Sequence, residues 1–424
     1  MADDGGVHKP ALTSVADLDG VLDEILARLP VKSLMRFRCV CKSWRALISQ
    51  SRFVTKHFNY ASKGFTENTS RLLISMSPLQ SRDCEASKDL SLDCEALKEL
   101  KDDGDAHLAI GKLEFPVMFP DSSIRKIVGS CNGLICVEID QKDMVLWNPC
   151  TGQSNLLPKP TGHVTLKLCG VGYDLTMKFW GFGYDSTNDD YKVVRGYNHT
   201  VRGSEETRVQ VFSLKSGSWR THEGLGYFCL AGPACLLNGA LHWQGTIIDD
   251  FHPRDSRIIS FDLAEEKFRE MLPLPSLVGF RCDFIPGDCL GVYEYSILHD
   301  EIFRFRIWMM KEYGVKESWT EVASFDLPKD YKFSPVTPLC ILENGEGLIA
   351  SRFDFQSLVF YSFKEQTFRN VFRTHNRWKF DGLIYRETLV SPVTSGIADI
   401  SKINTICGEL IFEHHDAQGN LQNV

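Results

Sequence analysis

The 424-residue sequence lacks any run of about 18 consecutive apolar residues, so no segment reads as a membrane-spanning helix. Its opening, MetAlaAspAspGlyGly, is acidic and carries no apolar stretch, and is not expected to serve as a secretory signal. The 14 cysteines contain no CxxC spacing, which argues against a thiolate metal cage. Cys131, Cys136, Cys229 and Cys235 lie in apolar, strand-like surroundings and read as reduced core thiols of a cytoplasmic or nuclear protein. There is also no GxSxG, HExxH or P-loop pattern. GlyValGly (170–172) and GlyPheGly (181–183) lack the third glycine of a dinucleotide fingerprint, and the adjacent His414 and His415 suit joint metal ligation poorly. The expectation is a chain with no catalytic residues, no metal and no cofactor.

Acidic residues are missing from one stretch in particular. Residues 25–56 hold eight basic residues and no acidic one, although the whole chain has a net charge of −8. Within this stretch Ile25, Leu26 and Leu29 follow Val21 and Leu22 at helical spacing, and Pro30 then forces a boundary. Leu34, Phe37 and Val40 give a second apolar stripe; Cys41, Trp44, Leu47 and Ile48 give a third. Periodicity alone favours an internal helical core for these residues. Three helices this short nevertheless have too little surface to hide so many large apolar groups among themselves, which marks the segment as a docking element. Arg28, Lys32, Arg36, Arg38, Lys42 and Arg45 read as solvated faces that steer an acidic partner. A nucleic-acid-reading helix has no need of Phe37 and Trp44 on its working face, so no nucleic-acid partner is expected.

The texture changes along the chain. Residues 80–106 carry nine acidic against four basic residues and read as a solvated excursion, with LeuSerLeu at 90–92 as a possible strand. From about residue 110, short strands alternate with Gly, Asn, Asp and Pro. A unit of apolar residues, polar turn and aromatic recurs, and its first aromatics are Trp147, Phe212, Phe261, Trp308 and Tyr361, spaced by 65, 49, 47 and 53 residues. Such periods point to a β-propeller, because one four-stranded blade buries both faces only against neighbouring blades. About six or seven blades fit the available length, with the five aromatics in the core.

Two sets of residues carry a family resemblance. GluIleLeuAlaArgLeuProValLysSerLeu (24–34), ArgPheArgCysValCysLysSerTrpArgAlaLeuIle (36–48) and SerArgPhe (51–53) are similar to the F-box of plant F-box proteins. SerCysAsnGlyLeuIleCys (130–136), TrpAsnPro (147–149), GlyPheGlyTyrAsp with AspTyrLysValVal (181–185, 190–194) and LeuAsnGlyAlaLeuHisTrp (237–243) resemble the F-box-associated, kelch-related region of the same proteins. One departure stands out: where the family box opens with Leu-Pro, this chain reads Asp17-Leu18.

The resemblance implies a multidomain protein in which a small all-α, three-helix F-box precedes an all-β, propeller-like domain. Its expected layout is a disordered tail over 1–16, the F-box over 17–58, a connector over 59–108, the β domain over 109–412 and a tail over 413–424. It further implies the substrate receptor of a cullin–RING ubiquitin ligase, bound through a Skp-type adaptor to cullin and RING subunits. Adaptor contacts are then expected from Ile25, Leu26, Leu29, Pro30, Leu34, Val40, Cys41, Trp44 and Leu47. Substrate contacts are expected from loops on one face of the β domain, with candidates at 157–168, 197–206, 245–257 and 279–289. The alternatives are a kelch-like propeller acting as a stand-alone scaffold or as a metal-dependent oxidase.

Overall fold

The computed structural model describes residues 15–62, 70–78, 88–93, 110–113, 115–116, 125–140, 142–160, 177–201, 204–224, 228–249, 252–273, 282–285, 289–297, 303–326, 336–341, 346–351, 356–362, 364–374 and 378–393. Met1–Pro392 form one compact unit; of the second, Val393–Val424, only Val393 is described.

The chain starts with four helices, α1 (Val15–Leu26), α2 (Val31–Phe37), α3 (Lys42–Ile48) and α4 (Ser51–Ser62). Pro30 sits at the N-cap of α2 with φ −57° and ψ 145°. Its ring nitrogen has no hydrogen to continue α1, so the chain turns there. Cys41 is extended, at φ −156° and ψ 166°, and its thiol accepts the Trp44 amide at 3.5 Å, which starts α3. The expectation of three helices is thus corrected to four. In α4, Thr55, His57 and Asn59 dilute the apolar periodicity that would have announced it, yet Phe53 and His57 are only 1% and 2% exposed.

The rest is a ring of six antiparallel sheets. Blade 1 joins β1 (Ser70–Pro78), β2 (Lys88–Asp93) and β3 (Ile110–Leu113) to the last strand of the chain, β26 (Trp378–Arg386). Blade 2 is β4 (Arg125–Cys131), β5 (Leu134–Ile139), β6 (Asp143–Trp147) and β7 (Ser154–Leu156). Blade 3 is β8 (Met177–Asp185), β9 (Asp190–Val201), β10 (Ser204–Ser213) and β11 (Ser218–Glu223). Blade 4 begins with β12 (Phe228–Leu230); the chain then adds β13 (Gly232–Pro233) parallel to β8 of blade 3. It returns as β14 (Cys235–Leu237), β15 (Ala240–Asp249), β16 (His252–Asp262) and β17 (Lys267–Pro273). Blade 5 holds β18 (Cys282–Ile285), β19 (Gly291–Ile297), β20 (Phe303–Met310) and β21 (Trp319–Asp326). Blade 6 holds β22 (Val336–Ile341), β23 (Glu346–Ser351), β24 (Gln356–Ser362) and β25 (Thr367–Thr374). The inner strands meet in sequence, β26 beside β4, β4 beside β8, β8 beside β15, β15 beside β18, β18 beside β22, and β22 beside β26. The ring is therefore closed, and blade 1 is the clasp, built from both ends of the domain.

That clasp corrects the domain layout. Two strands, β1 and β2, fall inside the stretch expected to be a connector over 59–108, and β2 contains LeuSerLeu at 90–92. β1 pairs with β26 along its whole length, from Ser70↔Arg386 to Pro78↔Trp378. The tails over 1–14 and 394–424 lie outside the described residues.

The repeating aromatics explain why the blades stack. Trp147, Phe212, Phe261, Trp308 and Tyr361 each sit on the third strand of blades 2 to 6 and pack into the seam with the preceding blade. All but the half-buried Trp308 are at most 2% exposed. Each removes an aromatic surface from water that no single sheet covers on both sides.

Candidate functional site

The helical unit holds itself together before it holds anything else. Leu26, Ala27, Val31, Leu34, Ile48 and Phe53 form its buried core, with Leu26 and Leu34 at 1% and 0% exposure. The Phe37 and Trp44 rings meet edge to face at 5.4 Å. α4 is tied back to α1 by polar contacts: Lys56 bonds Asp23 and lies 2.6 Å from Glu24 Oε1, and the Tyr60 hydroxyl donates to Glu24 Oε2 at 2.6 Å. The Lys56 and Tyr60 hydrogen bonds hold the Glu24 carboxyl below its ordinary pKa. His57 Nε2 lies 3.0 Å from the Leu29 carbonyl, and burial pushes its pKa down.

The expected docking residues therefore divide into two groups. Leu26 and Leu34 are interior, because the four helices need them to close their own core. Ile25 and Val40 are 55% and 63% exposed, Cys41 is exposed, and Leu29, Pro30, Trp44 and Leu47 are half-buried. Val21, 56% exposed, lies one turn from Ile25 on the same face of α1. An apolar surface is left outside after the internal core is complete, as the composition of 25–48 required.

The helices are seated on the propeller. Leu389 is 6% exposed and belongs to the core of the helical unit, with Cys150 packed against the same cluster. Leu389 lies on the strap that follows β26, and blade 2 clamps this strap. The fully buried Asn148 donates from Nδ2 to the carbonyls of Thr388 at 3.0 Å and Val390 at 2.7 Å. Its Oδ1 accepts the amides of Cys150 and Thr151, shaping the β6–β7 turn. Asn155 donates to the Pro392 carbonyl, and Thr388 Oγ1 donates to the Asn132 carbonyl at 2.9 Å. Gly133 has φ +78°, and a Cβ there would lie 2.3 Å from Thr388 Oγ1. SerCysAsnGly and TrpAsnPro are thus parts of one clamp.

The clamp fixes which end of the ring carries the helices. The turns at 132–133 and 148–152 lie on that side, and so do the turns at 186–189 and 263–266. Asn132 Nδ2 donates to the Tyr191 hydroxyl, and Lys192 joins Asp185 to Glu266 at 2.9 Å each. A cleft of about 1140 Å³ lies on this side between blades 3 and 4, lined by Lys192, Lys215, Arg220, His222, Glu266 and Phe268. Its cations are largely engaged internally: Glu266 also bonds Arg220 and lies 2.8 Å from His222 Nε2. No sequence spacing announced this network, which draws on residues some 80 positions apart.

The opposite face carries the two longest hairpins. β9 and β10 run 12 and 10 residues and pair as far as Val201↔Ser204, and β15 and β16 run 10 and 11 residues and pair as far as Asp249↔His252. Both coincide with candidate substrate segments, 197–206 and 245–257. Of 157–168 only 157–160 are described, and of 279–289 only 282–285 and 289.

Comparison with known proteins agrees with this two-part architecture. Residues 19–56 match the F-box domain model and residues 98–391 match the F-box associated beta propeller domain model. The chain belongs to the F-box protein family with an F-box-associated β-propeller. It is 30% identical over 387 residues to an F-box/kelch-repeat protein of Arabidopsis thaliana, covering 88% of this chain and 94% of that one. It is also 30% identical to the F-box protein CPR1 of the same plant, over 75% of each chain. TolB from Acinetobacter baumannii overlays at a TM-score of 0.41 with 8% identity, covering 79% of this chain and 73% of that one; the blade count rests on the strand pairings alone. The F-box match begins after Asp17-Leu18, and the propeller match begins after β1 and β2, which nonetheless complete blade 1. Among the described residues no group of three or more His, Cys, Asp or Glu is gathered as a metal site, and no helix is long and apolar enough to cross a membrane.

Proposed function

We propose that this protein is the substrate receptor of an SCF-type ubiquitin ligase: the F-box binds a Skp-type adaptor, and through it cullin and RING subunits, while the propeller holds the protein to be ubiquitinated. The observation that carries this reading is the apolar surface of Val21, Ile25 and Val40, left exposed on an F-box whose own core is closed. An adaptor that buries such side chains gains about 25 cal/mol for each Å² of apolar surface removed from water. The chain is then a rigid two-ended clamp. Leu389 and the strap fix the F-box to one end of the ring, so a substrate on the far face is held at a set position relative to the ligase. Catalysis by proximity needs this, because a raised effective concentration is lost when the bridge is slack.

The test is capture of the intact chain by a Skp-type adaptor, compared with the Ile25→Asp/Val40→Glu variant. Binding by the parent and not by the variant supports the reading. Capture of neither removes it and leaves the propeller as a stand-alone scaffold; equal capture of both takes Ile25 and Val40 out of the docking surface and removes the observation that carries the reading.

A further inference from the structure

Among the cysteines whose side chains are described, only Cys39 and Cys41 are exposed, and they flank Val40 on the turn between α2 and α3. Cys131, Cys136 and Cys235 are buried, and Cys150, Cys229 and Cys289 are half-buried. Burial pushes the thiols of Cys131 and Cys150 up to about 12 and that of Cys136 up as well. These three keep their protons at neutral pH and are poor nucleophiles.

The exposed pair differs in setting as well as in access. The Trp44 amide donates to Cys41 Sγ at 3.5 Å, and Ser43 Oγ lies 3.1 Å from the same sulfur. The Ser43 contact first, and the Trp44 amide next, hold the Cys41 thiol below its ordinary pKa. Lys42 follows it in the chain, and residues 25–56 hold eight basic residues and no acidic one. An exposed sulfur with donors on it and cations along its segment is the environment in which cysteines react. Cys39 is a second exposed thiol two residues away, so the two Cα atoms are at most about 7 Å apart. A disulfide spans Cα separations of about 4.4–6.8 Å, which the turn can supply. Between the two thiols stands Val40, 63% exposed, which the receptor reading assigns to the adaptor-binding surface.

We propose that the Cys39–Cys41 turn is a peroxide-sensitive modification site, at which oxidation of Cys41 turns off adaptor docking. The proposal deepens the substrate-receptor reading, and its effect on docking rests on that reading. The Cys41 thiolate attacks one oxygen of hydrogen peroxide; an S–O bond forms, the O–O bond breaks, and the departing hydroxide takes up a proton as water. Sulfur gives up two electrons, the peroxide gains them, and a sulfenic acid remains. That acid condenses with a thiol, either Cys39 or a low-molecular-weight thiol, forming an S–S bond and releasing water. A sulfenic acid or mixed disulfide adds polar bulk beside Val40, and a Cys39–Cys41 disulfide reshapes the turn itself. Each opposes the seating of an apolar partner surface, and a reducing thiol reverses each.

The test treats the reduced, intact chain with hydrogen peroxide in the presence of dimedone, which traps sulfenic acids, and locates the label by peptide mass spectrometry. Label is expected at Cys41 ahead of Cys131, Cys136 and Cys150, to vanish in Cys41→Ser and to persist in Cys39→Ser. Serine keeps an oxygen acceptor for the Trp44 amide, so the Cys41 variant is expected to fold. With glutathione in place of dimedone, a Cys39–Cys41 disulfide or a glutathione adduct identifies the resolving thiol, and either supports the site. Binding of a Skp-type adaptor is then titrated before and after oxidation. The parent is expected to lose at least about tenfold in affinity and to regain it with dithiothreitol. For Cys41→Ser, whatever its own affinity, the oxidised and reduced values are expected to coincide. No label at Cys41, label no greater there than at the buried cysteines, unchanged affinity of the oxidised parent, or an equal loss in Cys41→Ser overturns the proposal. If the reduced parent does not bind the adaptor, the receptor reading fails, and the dimedone label still decides whether Cys41 is the reactive thiol.

Discussion

The Tyr313 hydroxyl donates to His242 Nε2 at 2.7 Å across the seam between blades 4 and 5. The other ring nitrogen, Nδ1, lies 3.2 Å from the Cys235 carbonyl, which only accepts, so Nδ1 carries the proton and Nε2 is the acceptor. His242 is fully buried, and burial pushes its pKa down to about 4. The histidine of LeuHisTrp is therefore a neutral bridge between blades.

That bridge predicts a pH dependence. An unfolded His takes a proton near pH 6.5 and the folded His242 does so only near 4, so the unfolded state binds more protons between these values. Stability contributed here is complete above about 6.5 and declines as the pH falls toward 4, by up to about 3 kcal/mol. His242→Gln is expected to flatten this part of the profile, measured as urea midpoints from pH 7 down to 4.5. Parallel profiles for the two proteins would show that the ring is not held neutral.

Lys192 sets buried charge against exposed charge on one carboxylate. Its side chain is 4% exposed and lies 2.9 Å from both Asp185, at 1%, and Glu266. Lys192→Met strands the Asp185 carboxylate in the blade 3–4 seam and is expected to cost about 3–5 kcal/mol. Arg220 contacts the same Glu266 but is 50% exposed. Arg220→Gln is expected to cost under about 1 kcal/mol, because solvent screens the pair. Denaturant titration of both variants checks the ordering, and comparable losses would contradict it.

What the sequence made legible follows from how locally each feature is encoded. The aromatics of blades 2 to 6 were readable because each occupies the third strand of its blade, one repeat from the next. The wide first interval, Trp147 to Phe212, reflects the long β7–β8 connection and the extended β9–β10 hairpin. Blade 1 was not readable: its third strand, β2, reads LysAspLeuSerLeuAsp, without an aromatic, and its innermost strand, β26, which pairs with β1, comes from the far end of the domain. Leu26 and Leu34 were expected as contacts on the family resemblance, whereas periodicity alone favoured a helical core, and the fold buries both, at 1% and 0% exposure. The Lys192 ion-pair network had no local signature, since Asp185 and Glu266 reach Lys192 from two different sheets.

The strap makes the F-box seat depend on a residue in neither helix nor strand. Asn148→Asp keeps the Oδ1 that shapes the turn but replaces the donor to Thr388 and Val390 with a buried negative oxygen facing two carbonyls. Loss of two buried hydrogen bonds with an added desolvated charge is expected to cost at least about 3 kcal/mol. Because Leu389 lies between the two anchored carbonyls, the F-box is expected to become sensitive to limited proteolysis before the blades do. Simultaneous digestion of both parts would mean that the strap does not seat the helices.

Val40 and Leu34 separate docking from folding on neighbouring elements. Leu34→Ala removes a side chain with no exposed surface from the core of Leu26, Val31 and Phe53, and is expected to destabilise the F-box by about 2–5 kcal/mol. Any loss of adaptor binding in that variant is then a folding effect. Val40 is 63% exposed on the turn between α2 and α3, so Val40→Glu leaves the core intact and is expected to shift stability by under about 0.5 kcal/mol. If that turn docks, the charge must be buried against an apolar partner, and adaptor affinity is expected to fall at least about tenfold. Calorimetric titration with a Skp-type adaptor, paired with helical melting by circular dichroism, reads both quantities on the same samples. A Val40→Glu protein that melts normally and binds normally would place the adaptor on another face of the helices and remove Val40 and Cys41 from the docking surface.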